Sequence, residues 1–359
     1  MPKELFDVID GHAFDGDHCF LCGTRLHLGN RTVEHVFPRW LQDAYSLRDH
    51  TITLLNGTRI PYRSLVIPCC NTCNGTHLSQ LENRIKTVVL DETKTLDEIN
   101  DQDLNAWVSK IYIGILWKEL ELQFDRRNPE KGPIFPKEAM ENFRMVHFFM
   151  QSCRKNMIFH ALGDGFPNSL LRVSCKVPRD IQDQFDYLDN LAGHTVAVRM
   201  GNKGVLAMFD GGLHNMIFPY FSDRLFENKP LHGEQFKEIF AKITYKNLLS
   251  LRVPYYVFIQ NQEADIYTVS VLAFDDLNKG ASCLTVAAEG GPIVMVPILP
   301  DAALEGPAYG DWSQEEFARV LSTYTGIPFE RLFVPPDLVR TSLRDDNGNF
   351  LDIPVEVPV

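Results

Sequence analysis

The chain has 359 residues, enough for two domains, because single cores rarely grow beyond about 250 to 300 residues. Its composition, 45% hydrophobic and 23% charged, is that of a soluble globular protein, and its net charge of -12 excludes a uniformly basic nucleic-acid binder. The longest apolar runs, such as Ile111 to Trp117, fall far short of the roughly 18 residues of a membrane span, so no membrane association is expected.

The amino terminus carries Glu4, Asp7 and Asp10 where a secretory signal needs an apolar stretch, which implies a cytoplasmic address. In that reducing setting the eight cysteines are metal ligands or buried thiols rather than disulfides. Residues 1–90 hold nine basic and nine acidic residues and are neutral. The remaining 269 residues carry the whole acidic excess and only five of the eleven histidines, so they are a poor phosphate-binding surface.

Two Cys-x-x-Cys turns, Cys19-Phe-Leu-Cys22 and Cys70-Asn-Thr-Cys73, frame the first segment. Four thiolates held this way suit a tetrahedral structural Zn2+, which has no open position for catalysis. Cys69 beside Cys70 leaves the identity of the third ligand open, although only Cys70 gives the two-residue spacing to Cys73. Val33 to Phe37 reads as a short strand with Leu65 to Ile67 as its partner, and a hairpin turning on Asn56-Gly57 is inserted between them. A helix starts near Cys73, with Leu78, Leu81, Ile85 and Val88 along one face and Asn74 and His77 sharing another.

The acidic stretch Asp91 to Asp101 is a solvated connector that puts a domain boundary near residue 90. Leu104, Trp107, Val108, Ile111 and Ile115 then mark a helix, and a second is expected from Pro136 to Cys153, giving a helical region over 102–153. Residues 165–300 are strand-rich: Leu170 to Val177, Thr195 to Arg199, Val205 to Phe209, Tyr255 to Ile259, Tyr267 to Phe274, Ser282 to Ala287 and Ile293 to Val296. Turns are expected at Gly201 to Gly204 and Asp346 to Asn349. Helices are expected at Arg179 to Leu191, Glu234 to Leu249 and Ser313 to Thr323. The fold class is therefore α+β, with a zinc-stapled module over 1–90 and a larger mixed α+β domain over 91–359. His147, His160, His194, His214 and His232, with Cys153, Cys175 and Cys283, are scattered and read as structural.

Between the knuckles stands Thr32-Val-Glu-His-Val-Phe-Pro-Arg-Trp-Leu41, and the second knuckle runs on as Cys73-Asn-Gly-Thr-His-Leu-Ser-Gln-Leu-Glu82. Over residues 19 to 86 this pattern resembles the HNH endonucleases and their ββα-metal fold. The resemblance implies a phosphodiester hydrolase in which His35 is the general base and Glu34 and Asn74 hold a catalytic Mg2+ (or Mn2+). His77 is implied as a further ligand or phosphate donor. The implied substrate is nucleic acid, most simply DNA, with Arg39, Arg63 and Arg84 as candidate phosphate contacts. Chemically, histidine suits the proton transfer at neutral pH, and a hard divalent cation suits oxygen ligands.

The chain departs from the family pattern in three places. Glu34 replaces an aspartate, and His77 stands where a lysine is common. The asparagine that orients the base from the second strand has no clear counterpart, with Ser64 nearest in register and Asn56 in the hairpin turn. A non-cleaving, zinc-stabilised scaffold that binds nucleic acid or protein is therefore the alternative expectation. Residues 91–359 are expected to sense a regulatory ligand, to form a homo-oligomer or to restrain cutting, an arrangement that resembles effectors of bacterial defence.

Overall fold

The first 90 residues build β1 (Arg31–His35), α1 (Arg39–Ala44), β2 (Thr51–Thr53), β3 (Arg59–Pro61), β4 (Val66–Cys70) and α2 (Ser79–Val89). The computed structural model describes residues 5–9, 14, 16–160, 166–212, 230–248, 252–261 and 266–276. β1 and β4 are an antiparallel pair in the register Arg31 to Cys70 through His35 to Val66, and β2 and β3 form the inserted hairpin, with Gly57 at φ 79° in its turn. Only a residue without a Cβ takes that left-handed conformation without strain.

The helix expected at Cys73 begins as a π-helical turn, Cys73–Leu78, and becomes α-helical at Ser79. Leu78, Leu81, Ile85 and Val88 are all buried. Next comes α3 (Asp101–Glu121), started by Asn100, whose side chain accepts a hydrogen bond from the Asp103 amide. The apolar stripe predicts an amphipathic helix, but α3 is buried almost all round, from Leu104 through Trp117. One side lies against the β1–β4 pair. At Gly114 a Cβ would sit 3.0 Å from both Val36 methyl groups and 3.4 Å from Ile67 Cδ1, so the missing side chain lets helix and strands approach. The stretch from Pro136 is a 3-10 helix (Lys137–Phe143), then α4 (Arg144–Met150), then a last 3-10 turn (Gln151–Cys153).

The chain divides into two compact units, and the division does not fall at residue 90. The first unit comprises Met1–Asn156, Val177–Tyr187 and Val198–Val205, so α3 and α4 belong with the cysteine-rich segment. Phe37 meets the edges of Tyr62, Phe185 and Tyr187 there, at ring separations of 4.7, 6.1 and 5.1 Å.

The second unit comprises Met157–Lys176, Leu188–Ala197 and Leu206–Val359. The remaining strands are β5 (Asn156–His160), β6 (Ser169–Ser174), β7 (Phe185–Asn190), β8 (Thr195–Met200), β9 (Lys203–Met208), β10 (Arg252–Asn261) and β11 (Ile266–Asp276). They form a four-stranded sheet of order β6-β9-β8-β7 and a three-stranded sheet of order β10-β11-β5. Helix α5 (Gly233–Leu248) contributes Phe236, Ile239 and Ile243 to a core with Leu171, Val173, Leu206 and Met208.

The helix expected over Arg179 to Leu191 is not formed. Residues 181–184 make a 3-10 turn and Phe185–Asn190 is β7, because pairing with β8 outweighs a weak helical spacing. The expected strands at Ser282 to Ala287 and Ile293 to Val296, the helix at Ser313 to Thr323, the turn at Asp346 to Asn349, and Cys283 and His214 lie outside the described residues. Among the described residues no helix is long and apolar enough to cross a membrane. The chain is thus mixed α/β, with a four-cysteine cluster near its amino terminus.

Candidate functional site

The sulfurs of Cys19, Cys22, Cys70 and Cys73 are buried and lie within 4.8 Å of one another. Cys22 Sγ and Cys70 Sγ are 3.8 Å apart, the edge of a tetrahedron with Zn–S bonds of about 2.3 Å. The Cys73 amide donates to Cys70 Sγ at 3.4 Å, which helps a sulfur carry negative charge. Contact with the Cys22 sulfur, helped by burial, pushes the Cys19 thiol up to about 12, while the same contact holds Cys22 well below the ordinary thiol range. The donor set fits a structural Zn2+. Cys69 also lies 3.8 Å from Cys19 Sγ, but the mutual cluster takes Cys70, as the two-residue spacing requires.

The first knuckle rests on α4. His147 is wholly buried; its Nε2 faces the Phe20 carbonyl at 2.7 Å and its Nδ1 faces Gln151 Nε2 at 3.2 Å. With Nε2 donating and Nδ1 accepting, the ring is neutral, and burial pushes its pKa down to about 4. The folded pKa lies below the unfolded value near 6.5, so this stability is fully present above pH 6.5 and is lost as pH falls toward 4. Melting temperatures of the zinc-saturated chain should record a loss on the order of 3 kcal/mol across that window, with a shallower decline in His147→Gln.

Glu34 and His35 face opposite ways from β1, because successive strand side chains alternate. Glu34 is buried, and its Oε1 lies 2.5 Å from Lys110 Nζ, itself 0% exposed. Burial is the main reason that its pKa is pushed up to about 7. The expectation that Glu34 joins Asn74 around a Mg2+ is therefore corrected: the carboxylate faces the core and is held by an ammonium.

His35 is half-buried, and neither ring nitrogen has a hydrogen-bond partner among the described residues. Its pKa is lowered, first by burial and then by Arg39, Lys110 and Arg48, with only Glu82 opposing. The imidazole is therefore neutral at pH 7. Asn74 Nδ2 donates to the Val33 carbonyl at 2.8 Å and to Thr32 Oγ1 at 3.1 Å, on a strand that pairs with β4. With its amide nitrogen turned to β1, Asn74 keeps Oδ1 free of hydrogen bonds from the described residues. Val33 and His35 are two residues, or about 7 Å, apart along the strand.

His77 lies with Asn74 on the π-helical turn and is half-buried; burial first, then Arg154, lowers its pKa. Of the three arginines, Arg39 is exposed and takes no ion pair among the described residues. Arg63 is paired with Asp49, and Arg84 grips Asp103 with two bonds of 2.7 Å, so both guanidinium groups already have a carboxylate partner. Ser64 is exposed and makes no side-chain hydrogen bond among the described residues. Asn56 serves its own turn, accepting from the Thr58 amide and donating to the Phe124 carbonyl.

Sequence reasoning misses Lys110 and Glu82, whose Oε1 lies 2.8 Å from Lys110 Nζ. The one available signal is a lone cation inside the apolar run from Leu104 to Trp117. No protein-family model, curated protein or solved structure matches this chain.

Proposed function

We propose that the first unit is a metal-dependent nuclease site of the HNH type, hydrolysing phosphodiester bonds in nucleic acid, with DNA as the preferred substrate. The observation that carries this reading is His35: a neutral, half-exposed imidazole with uncommitted nitrogens, at the end of the strand to which Asn74 is tied. The imidazole takes the proton of the attacking water, and the unpaired Arg39 beside it meets a phosphate oxygen. Asn74 Oδ1 is the protein oxygen that would hold Mg2+ or Mn2+, whose bound form supplies charge for the phosphorus oxygens. Glu34 has no part in that ligand set. The strand-rich remainder restrains or directs the activity through a ligand or a second copy.

Plasmid nicking in Mg2+ or Mn2+ by the zinc-loaded chain tests the reading. His35→Ala should reduce the rate by about 10² to 10⁴-fold with zinc content and melting temperature unchanged. One observation favours a second reading, a binding module that does not cleave: the acid preceding the histidine is held by Lys110. Nucleic-acid binding by wild type and His35→Ala alike, with no nicking in either metal, selects that reading.

A further inference from the structure

Lys110 comes from α3, outside the segment that carries the HNH resemblance, and reaches back 75 residues to the backbone of His35. Its Nζ lies 2.6 Å from the His35 carbonyl and 3.2 Å from the Val36 carbonyl, besides Glu34 at 2.5 Å and Glu82 at 2.8 Å. Consecutive carbonyls of an extended strand point to opposite sides, so one ammonium can take both only where the chain leaves the strand. β1 ends at His35, where that departure occurs.

From this geometry we infer that Lys110 is the positioning residue of the site, its ammonium fixing the strand end from which the His35 imidazole projects. The inference rests on the nuclease reading for its consequence in catalysis. The usual energetics of buried charge point the same way. A well-packed apolar side chain in place of a buried ion pair is often neutral or stabilising, so stability alone does not account for an ammonium enclosed beneath the candidate base. The orienting role that Ser64 and Asn56 do not fill falls in this way to a lysine from another helix.

The charged groups facing His35 are Arg39 from α1, Arg48 from the loop after it, Glu82 from α2 and Lys110 from α3. Three are cations, and removing Lys110 leaves Glu82 a larger share of the local field. Loss of Lys110 thus has an electrostatic signature on His35 that loss of packing alone lacks.

The test compares full-length, zinc-loaded wild type with Lys110→Met/Glu34→Gln, which removes the ammonium without leaving Glu34 as a bare buried charge. Zinc content and melting temperature report folding, NMR follows the His35 imidazole titration with His35→Ala for assignment, and nicking in Mg2+ gives kcat and KM. The expected result is an imidazole midpoint about half a pH unit higher and a kcat at least about tenfold lower, with KM unchanged. A folded, zinc-loaded double variant with wild-type midpoint and kcat overturns the inference. If the double variant loses zinc or does not fold, Glu82→Gln decides, because it leaves the ammonium on both carbonyls. That variant should keep kcat within about threefold and lower the midpoint, and a kcat loss as large as that expected of the double variant overturns the inference. Absence of nicking by wild type sinks the nuclease reading, while the imidazole titration still decides whether Lys110 acts on His35.

Discussion

One zinc ion per chain is the expected metal content of the purified protein, and Cys22→Ser or Cys73→Ser should abolish it together with the ordered fold of the first unit. The four sulfurs join two turns with 47 residues between Cys22 and Cys70, and a structural zinc of this kind contributes on the order of 10 kcal/mol, comparable to the whole stability of a typical domain. Cys70 stands at the junction of β4 with the π-helical turn that carries Asn74. Losing the ion therefore loosens both the strand pair and the candidate catalytic face. Elemental analysis and near-ultraviolet circular dichroism check both effects. Cys69→Ser discriminates between the adjacent sulfurs and should retain the metal, and zinc lost from that variant but kept by Cys70→Ser would reverse the ligand assignment. Because thiols must lose protons to bind, affinity should weaken as pH falls.

Lys110→Met alone should destabilise the protein by about 3 to 5 kcal/mol at pH 8, the usual penalty for stranding the partner of a buried ion pair. The effect should depend on pH with a definite sign. The Glu34 pKa is pushed up to about 7 in the fold, above its ordinary value of 4.5. Its contribution to stability is accordingly present in full below about pH 4.5 and is lost as pH rises through 7. Without the ammonium the protonated carboxyl is tolerated and the carboxylate is not, so the deficit of Lys110→Met should shrink between pH 8 and pH 5. Paired chemical melts at those two values, with Lys110→Met/Glu34→Gln as the control near wild type, measure it. A deficit independent of pH would place the lost energy in packing instead.

Local patterns in the sequence were a good guide wherever the structure is local. The cysteine spacings, the Asn56-Gly57 hairpin and the buried face from Leu78 to Val88 depend on residues a few positions apart, and each is found as expected. The β8–β9 hairpin turning at Gly201 has the same origin, with Gly201 at φ 60°. The errors have longer reach. Ile181, Phe185 and Leu188 mimic a helical stripe, whereas β7 is decided by β8 and by aromatic contacts with Phe37. The π-helical turn that carries Asn74 and His77 is announced by no side-chain pattern. Glu34, expected at the metal, instead faces the core, and its partner was not legible because Lys110 is 76 residues away in sequence.

Gly114 gives this arrangement a mechanical character. With only 3.0 Å between the position of its missing Cβ and the methyl groups of Val36, α3 has no clearance to roll or slide over the strands. The ammonium one helical turn earlier is fastened to the same stretch of backbone. Helix and strand end therefore move as one lever, and any force that displaces α3 is delivered to the imidazole as a change of aim.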